Sequence, residues 1–236
     1  PYIALQLKAV SSSLSTILTH LDVRTGVAQP MHGDIALFVA LSMAAFAVLF
    51  GTRHVDATEH QDGMILAIAA ESVIKLVCFV TVGVFVTYFM FDGVGAMFSE
   101  ALKRPDTAAV LTREPVMSTF ITMTLLSTVA IVLLPRQFHV MVVENHSETE
   151  IKRAAWLFPS YLVLINLFVI PIAIAGLLIF PRGHVDRDMF VLALPLSTGF
   201  DLIALIAFIG GLSAATAMVI VETVALAIMA SNGTTM

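Results

Sequence analysis

The chain has 236 residues, of which 58% are hydrophobic and 12% charged, and its formal net charge is −5 at pH 7. Soluble domains are typically about 45–50% apolar and about 25% charged, so this composition excludes an ordinary soluble domain. The acidic balance, with no basic run, aromatic stacking motif or zinc-knuckle spacing, argues against a nucleic-acid partner.

Apolar residues are concentrated in blocks that are long enough to cross a bilayer, which takes about 20 helical residues. The blocks are nearly continuous, whereas membrane β-strands would alternate in polarity over segments of about 10 residues. We therefore predict an all-α polytopic membrane protein with about six transmembrane helices, the first of them partial. In chain order these segments are 3–18, 35–50, 63–90, 117–134, 154–180 and 200–230.

The first and last segments contain sequence features that suggest breaks. Lys8 and the serine run 11–13 are expected to interrupt the first segment. The last apolar stretch, 189–230, would extend roughly 60 Å as one helix at about 1.5 Å per residue. Because Pro195 and Gly199 offer a break, we predict a short helix at the membrane interface followed by a long span.

Both ends of the chain fall in or close to apolar sequence. The first segment has no basic n-region or cleavage site of a signal peptide, and the single cysteine, Cys78, can form no disulfide within the chain. Lys and Arg are divided nearly evenly between alternate loops, so the charge pattern does not orient the helices. We expect one membrane domain over residues 1–236, truncated at both ends.

Two opposite charges lie within the third segment. Glu71 and Lys75 are four residues apart, so they share one face of a helix and can pair. Ionisable side chains inside membrane helices are costly and mark candidate functional sites. Two interpretations stay open: a structural pair within the helix, and a charge that binds a proton or a solute.

Other polar residues in the predicted spans have weaker signals. Glu222 has no basic residue within a turn, and it is either structural or a group whose protonation changes between two states. Asp201 is expected to be an N-terminal carboxylate of the last helix, and Asn166 to form a hydrogen bond between helices. No phosphate-binding glycine loop, nucleophile elbow or zinc spacing is present, so no catalytic residue is predicted.

The last span contains a run of small residues, 210–217. Close helix packing is one interpretation of such a run. Ser213 and Thr216 are three residues apart and present two hydroxyl oxygens on one face, and oxygen ligands are what a hard cation requires. The run is therefore also a candidate cation site.

Three stretches resemble the sodium:solute symporter family and, within it, the symporter-like membrane domain of bacterial hybrid sensor histidine kinases. The sequence Phe-Gly-Thr-Arg-His-Val-Asp-Ala-Thr-Glu-His at 50–60 resembles the entry to the family's fifth core helix. The stretch 134–140 resembles the Gln-Pro-His motif that ends the sixth core helix, with Phe138 in place of its proline and Gln137 as a functional candidate. The stretch 208–232 resembles the eighth core helix, which contributes to the sodium site.

The resemblance implies a partial leucine-transporter-like inverted-repeat bundle, comprising core helices three to eight. It implies a location in the bacterial inner (cytoplasmic) membrane. It places the loops 51–62 and 136–153 in the cytoplasm and the loop 91–115 outside.

The resemblance also implies a set of sodium ligands. Gly210, through its carbonyl, and Ser213 match family ligand positions. The next position, where coupled symporters usually have a hydroxyl, is Ala214, and Thr216 is the candidate replacement. The remaining ligands of the family lie upstream of Pro1.

Two functions are compatible with these features. The first is a solute-sensing or transporting membrane domain of a histidine kinase, which binds a small solute, with sodium as the candidate ion. In that case a rearrangement of the bundle passes to kinase domains that follow Met236 in the same chain. The alternative is a stand-alone sodium-coupled symporter of a small organic solute such as an amino acid, which rests on family analogy. Both place the chain in the lipid bilayer.

Overall fold

The structure is a computed structural model that describes residues 2–25, 35–50, 62–114, 116–133, 147–180 and 185–234. Within these ranges every regular element is a helix, which confirms the predicted all-α class. The α-helices are α1 (Tyr2–Thr25), α2 (Ile35–Phe50), α3 (Asp62–Val84), α4 (Val94–Lys103), α5 (Pro105–Leu111), α6 (Met117–Leu133), α7 (Glu148–Asn166), α8 (Val169–Ile179), α9 (Phe190–Ser197) and α10 (Asp201–Thr234). A π-helical turn, Phe85–Met90, continues α3, and a 3-10 turn, Arg187–Met189, precedes α9.

Three helical stretches in the described ranges are long and apolar enough to cross a membrane: Ile68–Met90, Thr149–Ile179 and Asp201–Thr223. Shorter apolar stretches, Ile35–Ala45 and Met117–Ala130, lie in α2 and α6. Many large apolar side chains of these helices are exposed on the protein surface, as expected where the surrounding solvent is lipid. The chain is therefore an all-α, membrane-embedded protein.

The first helix is continuous, and the break that we predicted in it is wrong. α1 runs through Lys8 and the serine run to Thr25. The hydroxyl of Ser11 donates to the Lys8 carbonyl at 3.0 Å, and that of Thr16 donates to the Ser12 carbonyl at 2.8 Å. Because these bonds satisfy the hydroxyls within the helix itself, the polar residues do not interrupt it.

The predicted break in the last apolar stretch is confirmed. α9 ends at Ser197 and α10 begins at Asp201, whose carboxylate lies in the first turn, where the macrodipole favours it. Between them Gly199 has a φ of 76°, a left-handed conformation that glycine adopts without strain. Six of the eight residues of α9 are buried, so this short helix packs against α8 and α10 inside the protein.

The stretch that we expected to be an external loop, 91–115, contains two helices, α4 and α5. α4 packs against α8 and buries Met97 and Ala101. Pro105 begins α5, at a position where a missing N–H removes no helical bond. These short helices contribute Met97, Ala101 and Thr107 to the protein interior, while most of their other residues are exposed.

The fifth predicted segment is divided by a turn at 167–168 into α7 and α8. Pro159 lies inside α7. Pro171 is the third residue of α8, and because it has no N–H, the Leu167 carbonyl has no helical donor four residues ahead. The interruption leaves Asn166 at the end of α7, beside a cavity described below.

The core has α10 at its centre. This helix makes its most extensive contact with α3 and also packs on α1, α2 and α9. A second region, here called the apolar cluster, forms where the end of α3, the π-helical turn, α4, α8 and α9 meet. Its buried members are Val82, Phe85, Val86, Met97, Ala101, Ile172, Ile174, Ala175, Leu178, Phe190 and Leu194.

Candidate functional site

Two candidate residues, Glu71 of α3 and Thr216 of α10, meet where these helices pack together. We call Glu71, Lys75, Ser213 and Thr216 the polar seam. At its end Gly210 is buried against α3, and a Cβ atom there would lie 2.6 Å from the Cβ of Cys78. Since real Cβ atoms do not approach so closely, glycine is needed for this contact, and the small-residue run does serve close helix packing.

A hydrogen bond links the two helices across the seam. The hydroxyl of Thr216 lies 3.4 Å from Glu71 Oε1, and it also lies 3.0 Å from the carbonyl oxygens of Leu212 and Ser213 in its own helix. The hydroxyl has one proton for these three acceptors. The contact with Glu71 is therefore one of several that Thr216 can form, and the carboxylate keeps acceptor capacity.

Glu71 and Lys75 do not form the ion pair that their spacing allows. The described residues contain no salt bridge between them. Lys75 instead places its Nζ 5.8 Å from the ring centroid of Tyr161 in α7, within the range of a cation–π interaction. The Tyr161 hydroxyl donates to the Ser72 carbonyl at 3.4 Å. Each charged group of the pair thus faces a different neighbouring helix.

Ser213 lies between Gly210 and Thr216, which both contact α3. Its Oγ is buried and has no hydrogen-bond partner among the described residues. Buried hydroxyls are normally hydrogen-bonded, so the Ser213 oxygen is free to accept a further contact. Together with the Thr216 hydroxyl and the Glu71 carboxylate it offers oxygen donors of the kind that a hard cation binds. These residues fit sodium in donor type, and Glu71 adds a negative charge that the predicted ligand set lacked.

Gly210, in contrast, lies inside the continuous helix α10, where its carbonyl belongs to the helical hydrogen-bond ladder. Its clear role in the structure is the close approach to Cys78. Ala214 presents a methyl group to the neighbouring cavity rather than an oxygen.

A cavity of about 650 Å³ lies beside the seam, a size in the range of small-molecule sites. It is lined by residues of α1, α3, the junction of α7 and α8, the 3-10 turn, α9 and α10. Its wall is mostly apolar and includes Phe79, Leu192 and Phe208. The polar and charged side chains around it are Lys8, Ser12, Ser13, Lys75, Asn166, Asp186 and Asp188.

The other predicted candidates lie apart from this site. Glu222 is half-buried in α10, well beyond Thr216 in sequence, and has no hydrogen bond to a described residue. Asp201 lies 3.8 Å from His20 Nε2 at the other end of α10. Asn166 donates to the Leu162 carbonyl of its own helix at 2.7 Å, and within the described ranges it forms no bond to another helix, contrary to our prediction. Gln137 lies outside the described residues.

Sequence reasoning missed the contact of Tyr161 with Lys75 and the position of Lys8 at the cavity. An aromatic residue in an apolar span gives no signal of a cation beside it, because the pairing depends on how α7 packs against α3. Lys8 was interpreted only as a break in the first segment, although a lysine among apolar residues is itself a signal of a polar cavity.

No protein-family model, curated protein or solved structure matches the chain.

Proposed function

We propose that this chain is the sodium:solute symporter-like membrane domain of a bacterial sensor histidine kinase. It lies in the inner membrane as a multi-pass, leucine-transporter-like bundle. It binds a small solute, and the change in its helices passes to cytoplasmic kinase domains of the same protein.

The observation that carries this proposal is the juxtaposition of the polar seam and the cavity between the same helices. The hydroxyls of Ser213 and Thr216 belong to α10, whereas Glu71 belongs to α3. A bound sodium ion would attract oxygens of both helices and so favour the arrangement in which they are close. Lys75 and Cys78 of α3 and Gly210 of α10 line the solute cavity. A ligand that contacts both helices and binds one of their relative arrangements more tightly shifts the population toward it, which is the requirement for a two-state sensor.

The kinase assignment is supported by the family resemblance. Of its three stretches, 208–232 forms much of α10, whereas 51–60 and 134–140 lie outside the described residues. The preference for a sensor over a carrier therefore rests on sequence, since the seam and the cavity fit both.

The test is solute-stimulated autophosphorylation of the full-length protein in proteoliposomes, with sodium or choline at equal concentration. A panel of small amino acids and monocarboxylates provides the solutes. We expect stimulation in sodium, a weaker effect in choline, and loss of that difference in Ser213→Ala. Ser160→Ala is the matched control, because its exposed hydroxyl bonds only the Trp156 carbonyl in α7.

Two outcomes would contradict the proposal. Sodium-driven uptake of a solute without any autophosphorylation would identify the stand-alone symporter. Solute stimulation that is equal in sodium and choline, for wild type and Ser213→Ala alike, would exclude a functional cation site at the seam.

A further inference from the structure

Lys75 is the charged residue of the cavity that is least exposed to solvent. Lys8, Asp186 and Asp188 are exposed, whereas Lys75 is half-buried within the span Ile68–Met90. An ammonium group at such a position is costly unless a counter-charge or a hydrogen-bond acceptor is available. The groups around the Lys75 ammonium therefore show whether the protein supplies that counter-charge or a ligand must supply it.

Those surroundings leave the ammonium only partly compensated. Within the described part of the chain, Lys75 forms no salt bridge and donates no hydrogen bond. Glu71, one turn away, is bonded to Thr216 of α10. The Tyr161 ring covers one side of the ammonium at 5.8 Å, but a ring face carries no full negative charge. Glu71 attracts the ammonium electrostatically from one turn away, but the three N–H donors of Lys75 have no direct acceptor among the described residues.

The aspartates at the cavity edge do not provide that partner. Asp186 Oδ1 accepts from the backbone N–H of Asp188 at 3.4 Å and caps the 3-10 turn. Both side chains are exposed and lie outside the three stretches long and apolar enough to cross a membrane, so water can solvate their charges without help from a ligand. The half-buried ammonium of Lys75 therefore needs a counter-charge from a ligand, whereas the two exposed carboxylates do not.

We propose that the cavity binds a small organic monocarboxylate, with its carboxylate on Lys75 and its apolar body against Phe79 and Phe208. One ammonium matches one carboxylate in charge, whereas a phosphate dianion would stay half-compensated. The apolar wall fits a hydrocarbon body, and the cavity volume of about 650 Å³ suits a small molecule. This inference rests on the proposed function, because it names the chemistry of the solute.

The experiment is isothermal titration calorimetry on the full-length protein with pentanoate and 3-phenylpropanoate and with their neutral amides. We expect each acid to bind wild type at least about tenfold more tightly than its amide, as a charge-assisted hydrogen bond implies. Lys75→Met should abolish this preference, and Lys75→Arg should keep part of it. Lys8→Met is the matched control, since Lys8 lines the same cavity but is exposed, and it should behave as wild type.

The Lys75→Met comparison locates the binding, because Lys75 lines the cavity. Equal affinities for acid and amide in wild type would overturn the inference, and that comparison needs no variant to fold. Failure of both acids to bind, or norvaline binding tenfold more tightly than pentanoate, would also overturn it. An acid preference without sodium dependence or autophosphorylation would contradict the proposed function alone.

Discussion

The middle and the end of α3 lie in different surroundings. In the middle, Glu71 and Lys75 are half-buried and contact α10 and α7. At the end, Val82 and, in the π-helical turn that follows, Val86 are fully buried in the apolar cluster. The same helix thus contributes both to the closely packed apolar cluster and to the polar seam, in which some polar groups lack hydrogen-bond partners.

The difference has a physical basis in the solvent. Lipid tails are as apolar as a leucine side chain, so burial between helices gains little hydrophobic free energy in a membrane. Close van der Waals packing must therefore stabilise the apolar cluster. In the polar seam, one hydrogen bond, from Thr216 to Glu71, joins α10 to α3, and the Ser213 hydroxyl has no partner among the described residues.

The largest stability effect is expected at the centre of the apolar cluster. Met97 is fully buried. Met97→Ala should lower the free energy of unfolding by about 2–3 kcal/mol, near the low end for such truncations. The cavity left by the side chain is still costly, but moving apolar atoms between lipid and the protein interior changes the free energy little. Unfolding by denaturing detergent measures this. Leu102→Ala in the same helix is the control, and since Leu102 is exposed, an equal loss there would contradict the packing account.

A second prediction concerns overpacking of the same cluster. A Cβ on Gly176 would overlap the ring of Phe190, which is itself buried. Gly176→Ala should therefore destabilise the protein by about 1–3 kcal/mol. Gly95→Ala, where a Cβ meets no atom within 4 Å, should be neutral or slightly stabilising because alanine favours a helix. Equal midpoints of thermal unfolding for the two variants would show that α8 and α9 are loosely packed.

Removing a threonine hydroxyl should have opposite effects in the two regions. Thr87 in the π-helical turn is fully buried, and its hydroxyl has no partner among the described residues. Thr87→Val should therefore raise the free energy of unfolding by about 1 kcal/mol. Thr216→Val removes the bond to Glu71 and should lower it by about 0.6–1.7 kcal/mol.

The control for this pair is Thr223→Val. Thr223 donates to the Val219 carbonyl of its own helix at 2.6 Å. Thr223→Val should therefore change the free energy of unfolding by less than Thr216→Val does. If Thr87→Val and Thr216→Val shift the detergent midpoint in the same direction, the contrast between the two regions is wrong.

The smallest stability effect is expected for Glu222→Gln, within about ±0.5 kcal/mol. Gln keeps the shape of the side chain, and Glu222 has no described hydrogen bond that the change would remove. If Glu222 belongs to the switch, the pH profile of solute-dependent autophosphorylation should nevertheless shift. An unchanged profile between about pH 5 and 9 would make Glu222 a structural residue only.

The sequence was most informative where one local signal decides the structure. Pro195 and Gly199 located the break before α10, and continuous apolar runs predicted helices rather than strands. Sequence reasoning was wrong where local and tertiary effects compete. It predicted a break in α1, but the hydroxyls there bond to carbonyls of their own helix. It expected a loop at 91–115, but α4 forms because α8 covers its apolar face.

The candidate site shows the same division. Spacing placed Glu71 and Lys75 on one helix face, but it could not show that each would turn to a different neighbour. The unpartnered oxygen of Ser213 and the cation–π contact with Tyr161 exist only because three helices pack together. No pattern within one segment contains that information.

The most direct test of the central claim is the midpoint of thermal unfolding of the full-length protein in sodium and in choline at equal concentration. A cation bound at the seam should raise the midpoint of wild type in sodium by at least about 2 °C, which corresponds to about 1 kcal/mol of ligand stabilisation. Met97→Ala should unfold at a lower temperature but keep the same increment, whereas Ser213→Ala should lose it. Equal midpoints of wild type in the two salts, or an unchanged increment in Ser213→Ala, would contradict the claim that the polar seam is a binding site.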